Sequence, residues 1–363
     1  MVIFTIIGVI LIFGVLIFIH ELGHFLTARL FGVGVNEFSL GMGPSIFTRT
    51  SKKTNIKYSL RALPIGGYVS MVGEDRLGEN DDASVALCRK PAWQRLIIMA
   101  AGAVMNLILG FIIMAVMVIQ QPRFYGTTVD FFVFLDANNN YNITYDSITG
   151  RGLMPGDKIE YIGNEKIRIY DDLSFEIMRV GAEPTDVTVI RDGKRTVIKN
   201  VEFPTFEDRG VVFADSSFIY TKQIEKTPLT VVQQTFMQTF SNIRMIYETL
   251  IDTISGRYGM AAVSGPVGVV QSLNDTVEKT DEDFRVAAVM YFIMILTINL
   301  GIMNLLPFPA LDGGRIFFIF IELIRGKPIK PEFEGYIHFA GLVVLMMFMV
   351  FVTFNDIVRI IAG

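Results

Sequence analysis

The sequence predicts a polytopic α-helical membrane protein with about four transmembrane helices, a membrane-associated β-hairpin and an extracytoplasmic α+β domain. Three observations carry that prediction. The 363 residues are 51% hydrophobic, and the apolar excess is gathered in blocks approaching the roughly 20 residues that cross a bilayer core. A long mixed-polarity stretch separates the second block from the third. Basic residues collect at particular ends of the blocks, which gives the chain an orientation.

The four blocks are Val2–Leu30, Leu96–Ile119, Ala287–Leu306 with an extension to Ile324, and Gly335–Phe354. Val2–Ile19 lacks a basic leader and a small-x-small cleavage site, so it reads as a retained span rather than a signal peptide. Arg29, Arg89, Lys90 and Arg95 flank the first connection, and Arg325, Lys327 and Lys330 precede the last span. The positive-inside tendency puts both connections in the cytoplasm and the Arg123–Arg285 insert outside.

Within the first connection, Ile56, Tyr58 and Leu60 alternate with polar residues before a Gly66-Gly67 break, which predicts a β-hairpin over Thr54–Met71 dipping toward the membrane. Irregular backbone at that depth is tolerated only where its polar groups are paired or line a cavity. Outside, Gly126–Pro204 reads as a β-rich domain. Pro155-Gly156-Asp157 is a turn, Asp171–Val180 has helical spacing, and "DVTVIRDGKRTVI" is a strand, an Asp-Gly turn and a strand. In Thr227–Ile254, Val232, Phe236, Phe240, Ile243, Ile246, Leu250 and Ile254 recur every three or four residues, the mark of an amphipathic helix on a membrane or domain surface. "DTVEKTDEDF" is an acidic connector. The predicted organisation is thus a membrane domain over 1–122, an extracytoplasmic domain over 123–205, a connector with the amphipathic helix over 206–284, and a second membrane domain over 285–363.

Composition narrows the function. A net charge of −4 without a dense Lys/Arg run argues against nucleic acid as a partner. The single cysteine, Cys88, can form neither an internal disulfide nor a thiolate metal site alone, so any zinc must be held by His and carboxylate.

Such groups occur where they are costly. "FIHELGHFLTAR" sets His20 and His24 four apart on one helix face, with Glu21 beside them, inside a membrane span. The H-E-x-x-H pattern offers two nitrogen ligands for Zn²⁺ and a carboxylate to hold its water. Ionisable groups at membrane depth are a functional-site hypothesis by default. A catalytic zinc usually has three protein ligands. His338, opening the last span, fits a third ligand or a structural role. Asp312 is the better candidate, because Pro307 and Pro309 break the helix before it and Gly313-Gly314 follow. Asn304, just ahead of the break, fits either a hydrogen bond to a substrate carbonyl or a helix cap.

Together "HELGH", "PIGGYV", "KPAWQR", "SGPVGV" and "NLLPFPALDGGR", in that order along nearly the whole chain, resemble the site-2 protease family of intramembrane zinc metalloproteases, and most closely its bacterial regulator-of-sigma-E-protease subgroup. "AGAVMN" stands where the family commonly has AGPxxN, and there is length for one PDZ domain. The resemblance implies Zn²⁺ on His20, His24 and Asp312, with Glu21 as catalytic base. It implies substrate handling by Asn304 and, in a membrane-re-entrant β-loop at Thr54–Met71, a role for Gly66, Gly67 and Tyr68. "GRGLMPGDKI" resembles a circularly permuted PDZ domain, with a groove expected between the strand near Gly126–Phe134 and the Asp171–Val180 helix. The implied activity is hydrolysis within transmembrane segments of single-span proteins, after an earlier cut by another protease. Anti-sigma factors and remnant signal peptides are the implied substrate classes. The implied setting is the lipid bilayer of a bacterial cytoplasmic membrane, with the active site toward the cytoplasm.

Two other classes compete. A transporter would relay ions through the same side chains, but transporters often pair broken helices in two repeats, and only one break is evident. A non-catalytic adaptor would have no need of Glu21 alongside three ligands.

Overall fold

The computed structural model describes residues 2–74, 82–135, 141–143, 152–208, 211–257, 263–327 and 329–362; Gly150 and Arg151 of the PDZ-like segment lie outside them. Two compact units emerge, one of Met1–Ile113 with Ser264–Gly363, the other of Met114–Val263.

In the first unit, α1 (Val2–Leu30) leads into β1 (Val35–Thr50), β2 (Lys57–Met71) and α2 (Ala92–Gln120), which continues into the second unit. Stretches of α1 and α2 are long and apolar enough to cross a membrane, as are Glu282–Leu305 and Pro331–Ile361 near the C terminus. These helices keep apolar side chains such as Leu11, Val15, Ile108 and Ile112 on their outer faces, as lipid rather than water requires. Their inner faces are ridges of period four. Leu16, His20, His24 and Ala28 are buried along α1, and Ile98, Gly102, Asn106 and Gly110 along α2.

The expected hairpin over Thr54–Met71 is larger and differently folded. Residues 35–40 of β1 pair on one side with residues 67–71 and on the other with residues 57–60, which in turn pair with residues 47–50. Two long bent strands therefore make four rows, antiparallel in the two outer pairings and with residues 37–40 and 57–60 in parallel register between them. The reversal lies at Ser51–Ile56, where Ser51 N–H donates to Ile56 O at 2.9 Å and Asn55 adopts φ 54°. The Gly66-Gly67 pair is a bend inside β2. Gly41, Gly43 and Pro44 interrupt the alternation of β1, which hides that strand from a period-two reading. Phe38, Val69 and Met71 bury against Ala28 and Ile98, fixing this sheet to α1 and α2.

The second unit carries β3 (Phe124–Leu135), β4 (Tyr141–Ile143), β5 (Lys158–Ile162), β6 (Glu165–Lys166), α3 (Tyr170–Val180), β7 (Thr185–Arg191), β8 (Lys194–Val201), β9 (Thr205–Asp208), β10 (Val211–Ala214), β11 (Ile219–Ile224) and α4 (Pro228–Ile254). The main sheet runs β11-β3-β5-β7-β8, and β9 with β10 forms a separate ribbon. Val129, Phe132, Leu173, Ile177, Val187 and Ile219 share one core between sheet and α3. Asp157, in the expected turn, accepts from Arg191 at 2.7 and 2.8 Å and from Met154 N–H at 2.9 Å. Beside the expected groove, β11 pairs along one edge of β3, while the other edge meets β5 at Thr128 and β4 at residues 133–135. The chain's own later strand supplies those backbone hydrogen bonds.

Helix α4 is turned inside out for a soluble protein. Gln234, Thr235, Gln238, Ser241 and Asn242 are buried, whereas Leu229, Val232, Phe236, Phe240, Ile251 and Ile254 are exposed. The inversion follows from ion pairing. Arg179 on α3 donates to Asp252 at 2.7 Å and Glu248 at 3.0 Å, Arg244 donates to Glu176 at 2.9 Å, and Ser241 donates to Asp172 at 2.5 Å. The start of α4 is also fastened to the end of α2, since Lys226 Nζ donates to the carbonyls of Ile119 and Gln121, each at 2.8 Å.

The first membrane block of the C-terminal part is preceded by α5 (Pro266–Lys279) and consists of α6 (Glu282–Leu305); α7 (Asp312–Arg325) and α8 (Pro331–Ala362) follow, all within the first unit. The break expected at Pro307 and Pro309 falls at residues 306–311, and α7, with 14 residues or about 21 Å, is too short to span.

Burial, reinforced by the Glu248 charge, pushes the Glu176 carboxyl up to about 8. Raised above its ordinary value of 4.5, it gives stability that is present in full below pH 4.5 and lost as pH rises through about 8. Hydrogen-exchange protection of α3 in the full-length protein is therefore expected to fall between pH 6 and about 8.5, after correction for intrinsic exchange, and to stay flat in Glu176→Gln.

Candidate metal centre

The period-four ridge of α1 delivers His20 and His24 one turn apart, both buried. Asp312 arrives from the first turn of α7, where the chain resumes helix after the proline break. Its Oδ2 lies 3.0 Å from His20 Nε2 and 3.2 Å from His24 Nε2, and the two Nε2 atoms are 3.2 Å apart. Ligands at about 2.0–2.1 Å from a tetrahedral zinc stand roughly 3.3 Å from one another, so the triangle has the right edge lengths. Asp312 Oδ2 is sealed from solvent and, despite those distances, accepts no hydrogen bond of normal geometry. An orphaned carboxylate oxygen between two imidazole nitrogens fits a cation binding set.

The surroundings prepare that set. His24 Nδ1 is 2.8 Å from the Ile98 carbonyl, which takes its N–H and leaves the Nε2 lone pair facing Asp312. Gly102 leaves the necessary space: a Cβ there would run into His24 Nε2 and come within 2.8 Å of His20 Nε2. Glu21 is 8% exposed and is not one of the three converging groups. Gly67 packs on it so closely that a Cβ would stand 3.0 Å from Glu21 Cγ. A carboxylate next to the cluster but outside it suits a proton acceptor better than a ligand.

Among the described residues, Glu165, Glu176 and Glu248 also converge within ligand distance, but Arg179 and Arg244 already neutralise that group. His338 is no part of the His20 cluster. Its Nδ1 accepts the Ala310 N–H at 2.9 Å, holding the break two residues before Asp312, where Ala310 has φ 79°. Left-handed backbone at a non-glycine residue is costly and needs such an external hold.

The remaining predicted residues stand nearby in differing ways. Asn304 is half-buried in the last turn of α6, whose end is closed by Leu306 N–H to Met303 O rather than by the Asn304 side chain. Gly66, at φ 78°, bends β2 and places residues 67–71 on an outer row of the sheet. The Tyr68 hydroxyl meets Arg61, whose Nη2 also donates to Glu37 at 2.9 Å. Sequence reasoning assigned no role to Gly102, Asn106 or the Ile98 carbonyl. The available signal was a lone Asn in an apolar helix with a glycine four residues before it.

Zinc content is expected to fall below about a tenth of wild type in His24→Ala and Asp312→Ala, since two remaining ligands seldom hold zinc. Gly102→Val should lose zinc equally, by filling the space between the rings. Metal analysis of each purified, monodisperse variant checks this.

Comparison with known proteins gives the same direction. The family model for peptidase family M50 matches residues 8–348. The regulator of sigma-W protease RasP of Bacillus subtilis is 31% identical, across 98% of this chain and 99% of that one. A putative zinc metalloprotease of Fusobacterium nucleatum, FN1322, is 33% identical over 95% of this chain and 96% of its own. A third, CA_C1796 of Clostridium acetobutylicum, is 33% identical over 98% of each. With a family match across nearly its whole length and relatives aligned over almost all of theirs, the chain belongs to peptidase family M50, the site-2 protease family of zinc metalloproteases.

Proposed function

We propose that this zinc metalloprotease cuts peptide bonds within transmembrane segments of single-span membrane proteins, using His20, His24 and Asp312 as zinc ligands and Glu21 as general base. The observation that carries the proposal is the convergence of the three ligand atoms, each within 3.2 Å of the others, on the buried face of a helix apolar enough to cross a membrane. Zinc held there supplies Lewis acidity, polarising a carbonyl and acidifying water. Glu21 takes the water proton and passes it to the leaving nitrogen, and the close approach of Gly67 to its Cγ limits where the carboxylate can turn. A cavity of about 770 Å³ lies beside α7, lined by Glu74, Arg95, Arg315 and Glu322 together with apolar side chains such as Met99 and Ile319.

A helical substrate hides its carbonyls in its own hydrogen bonds and must unwind before attack. Among the described residues the outer row at 67–71 is paired on one side only, so Gly67 and Tyr68 offer an edge for an unwound segment, with Gly66 setting its bend. That replaces hydrogen bonds whose loss is expensive away from water. Asn304 offers its amide to a substrate carbonyl, a role favoured by the backbone closing α6 on its own.

In this reading, residues 1–122 and 285–363 form the membrane domain, 123–205 a PDZ-like domain and 206–284 the connector. The PDZ-like domain faces outward and the active site toward the cytoplasmic side of a bacterial cell membrane. With one edge of β3 taken by β11 and the other met by β5 and β4, the domain acts on substrates by restricting access more readily than by taking a peptide on β3. The exposed apolar stripe of α4 rests on lipid at the level where α2 ends. Substrates arrive after trimming by another protease. Anti-sigma factors and remnant signal peptides are the classes that suit a single-span substrate, and the Bacillus subtilis relative's name favours the first.

The test is cleavage of a single-span model substrate by purified protein, with the cut mapped by mass spectrometry. Glu21→Gln is expected to keep its zinc and lose at least about 10³-fold in rate, in line with removal of a general base. A cut mapped only to the soluble tail, or a Glu21→Gln variant that still cuts at near wild-type rate, would contradict the proposal.

A further inference from the structure

The second metal-facing histidine has a support that differs from the first. A neutral imidazole binds zinc through one nitrogen only if the other carries the proton, and that proton needs an acceptor. For His24 the acceptor is the Ile98 carbonyl. His20 turns its Nδ1 instead to the side-chain amide of Asn106, which is 0% exposed and lies 86 residues along the chain. The contact is nitrogen to nitrogen, Asn106 Nδ2 to His20 Nδ1 at 3.4 Å, while Asn106 Oδ1 is buried with no partner.

That arrangement serves only a His20 whose proton is on Nε2, and such a ring has no lone pair to give toward Asp312. The two ends of a carboxamide are nearly isosteric, and a half-turn about Cβ–Cγ exchanges them. After the half-turn, Oδ1 accepts the Nδ1 proton of His20. We propose that Asn106 is a positioning residue for the metal centre: its side-chain oxygen holds His20 in the Nδ1–H tautomer that frees Nε2 as a ligand. The geometry of α2 supports the assignment. Ile98, Gly102 and Asn106 follow one another at four-residue intervals on its buried ridge. One face of one helix thus provides the acceptor for His24, the room between the rings and the acceptor for His20. The last residue of the "AGAVMN" stretch thereby acquires a function.

The inference rests on His20 being a zinc ligand, and the experiment separates the two. Zinc affinity of the full-length, detergent-purified protein is measured by competition with a chromogenic chelator. Asn106→Leu, similar in size but without an acceptor, is expected to bind zinc about 10- to 100-fold more weakly. Asn106→Asp, which restores an acceptor, should return to wild-type affinity or better, a rescue that a packing role would not produce. The chain has only three histidines, so imidazole ¹⁵N spectra of the zinc-loaded wild type can be assigned by single substitution. They are expected to show His20 protonated on Nδ1, with a shift confined to His20 in Asn106→Asp. This readout stands even if Asn106→Leu fails to fold. Wild-type affinity in a folded Asn106→Leu, affinity in Asn106→Asp as weak as in Asn106→Leu, or a His20 protonated on Nε2 would overturn the proposal. If His20→Ala itself keeps tight zinc, the ligand assignment is wrong; if it loses zinc while Asn106→Leu keeps it, only the positioning role is wrong.

Discussion

Everything in the membrane unit is arranged around one electrostatic constraint: a carboxylate and two imidazoles must converge where water is largely excluded. Isolated, such groups would be expensive to bury. Here they converge to about 3 Å because three stretches far apart in sequence are each held in place. The α1 ridge sets the spacing of the histidines, the α2 ridge backs them, and the proline break ahead of α7 brings Asp312 into line. None of these elements makes a site alone.

The break is the most demanding of the three. Pro307 and Pro309 stop α6, and Ala310 takes a left-handed conformation before helix resumes at Asp312. Left alone, such a segment would sample other shapes. His338 from α8 holds the Ala310 N–H, and Arg315 pairs with Glu74 at 2.7 Å just after β2. The carboxyl group of Glu74 also accepts the Met71 N–H at 3.2 Å, so the row proposed to receive substrate and the helix bearing Asp312 share a fastening.

Much of this was legible in the sequence, and the reasons differ from element to element. The long helices declare themselves through length and apolarity alone. His20 and His24 are readable because a helix repeats every 3.6 residues, and Asp312 because acids between prolines and glycines in an apolar run are rare. The amphipathic stripe of α4 was plain from its period, but period cannot say which face packs; Ser241 answers to Asp172 on α3 and Gln238 to Gln121 just past α2. The four-row sheet was hidden because Gly41, Gly43 and Pro44 erase the alternation of β1, and because register between strands is a tertiary property. The pairing of β11 with β3 joins residues almost a hundred positions apart, beyond the reach of local pattern. Asn106 was visible as a residue and silent as a partner, since only the fold sets it against His20.

The central claim is that these three side chains bind one zinc ion. X-ray absorption at the zinc edge, on protein purified without added chelator, tests it most directly. The expected result is one zinc per chain in a shell of about four nitrogen and oxygen neighbours near 2.0–2.1 Å, two of them imidazoles, with the Asp312→Ala variant losing the metal. A sulfur neighbour, a shell with no imidazole signature, or full zinc retention without Asp312 would contradict it.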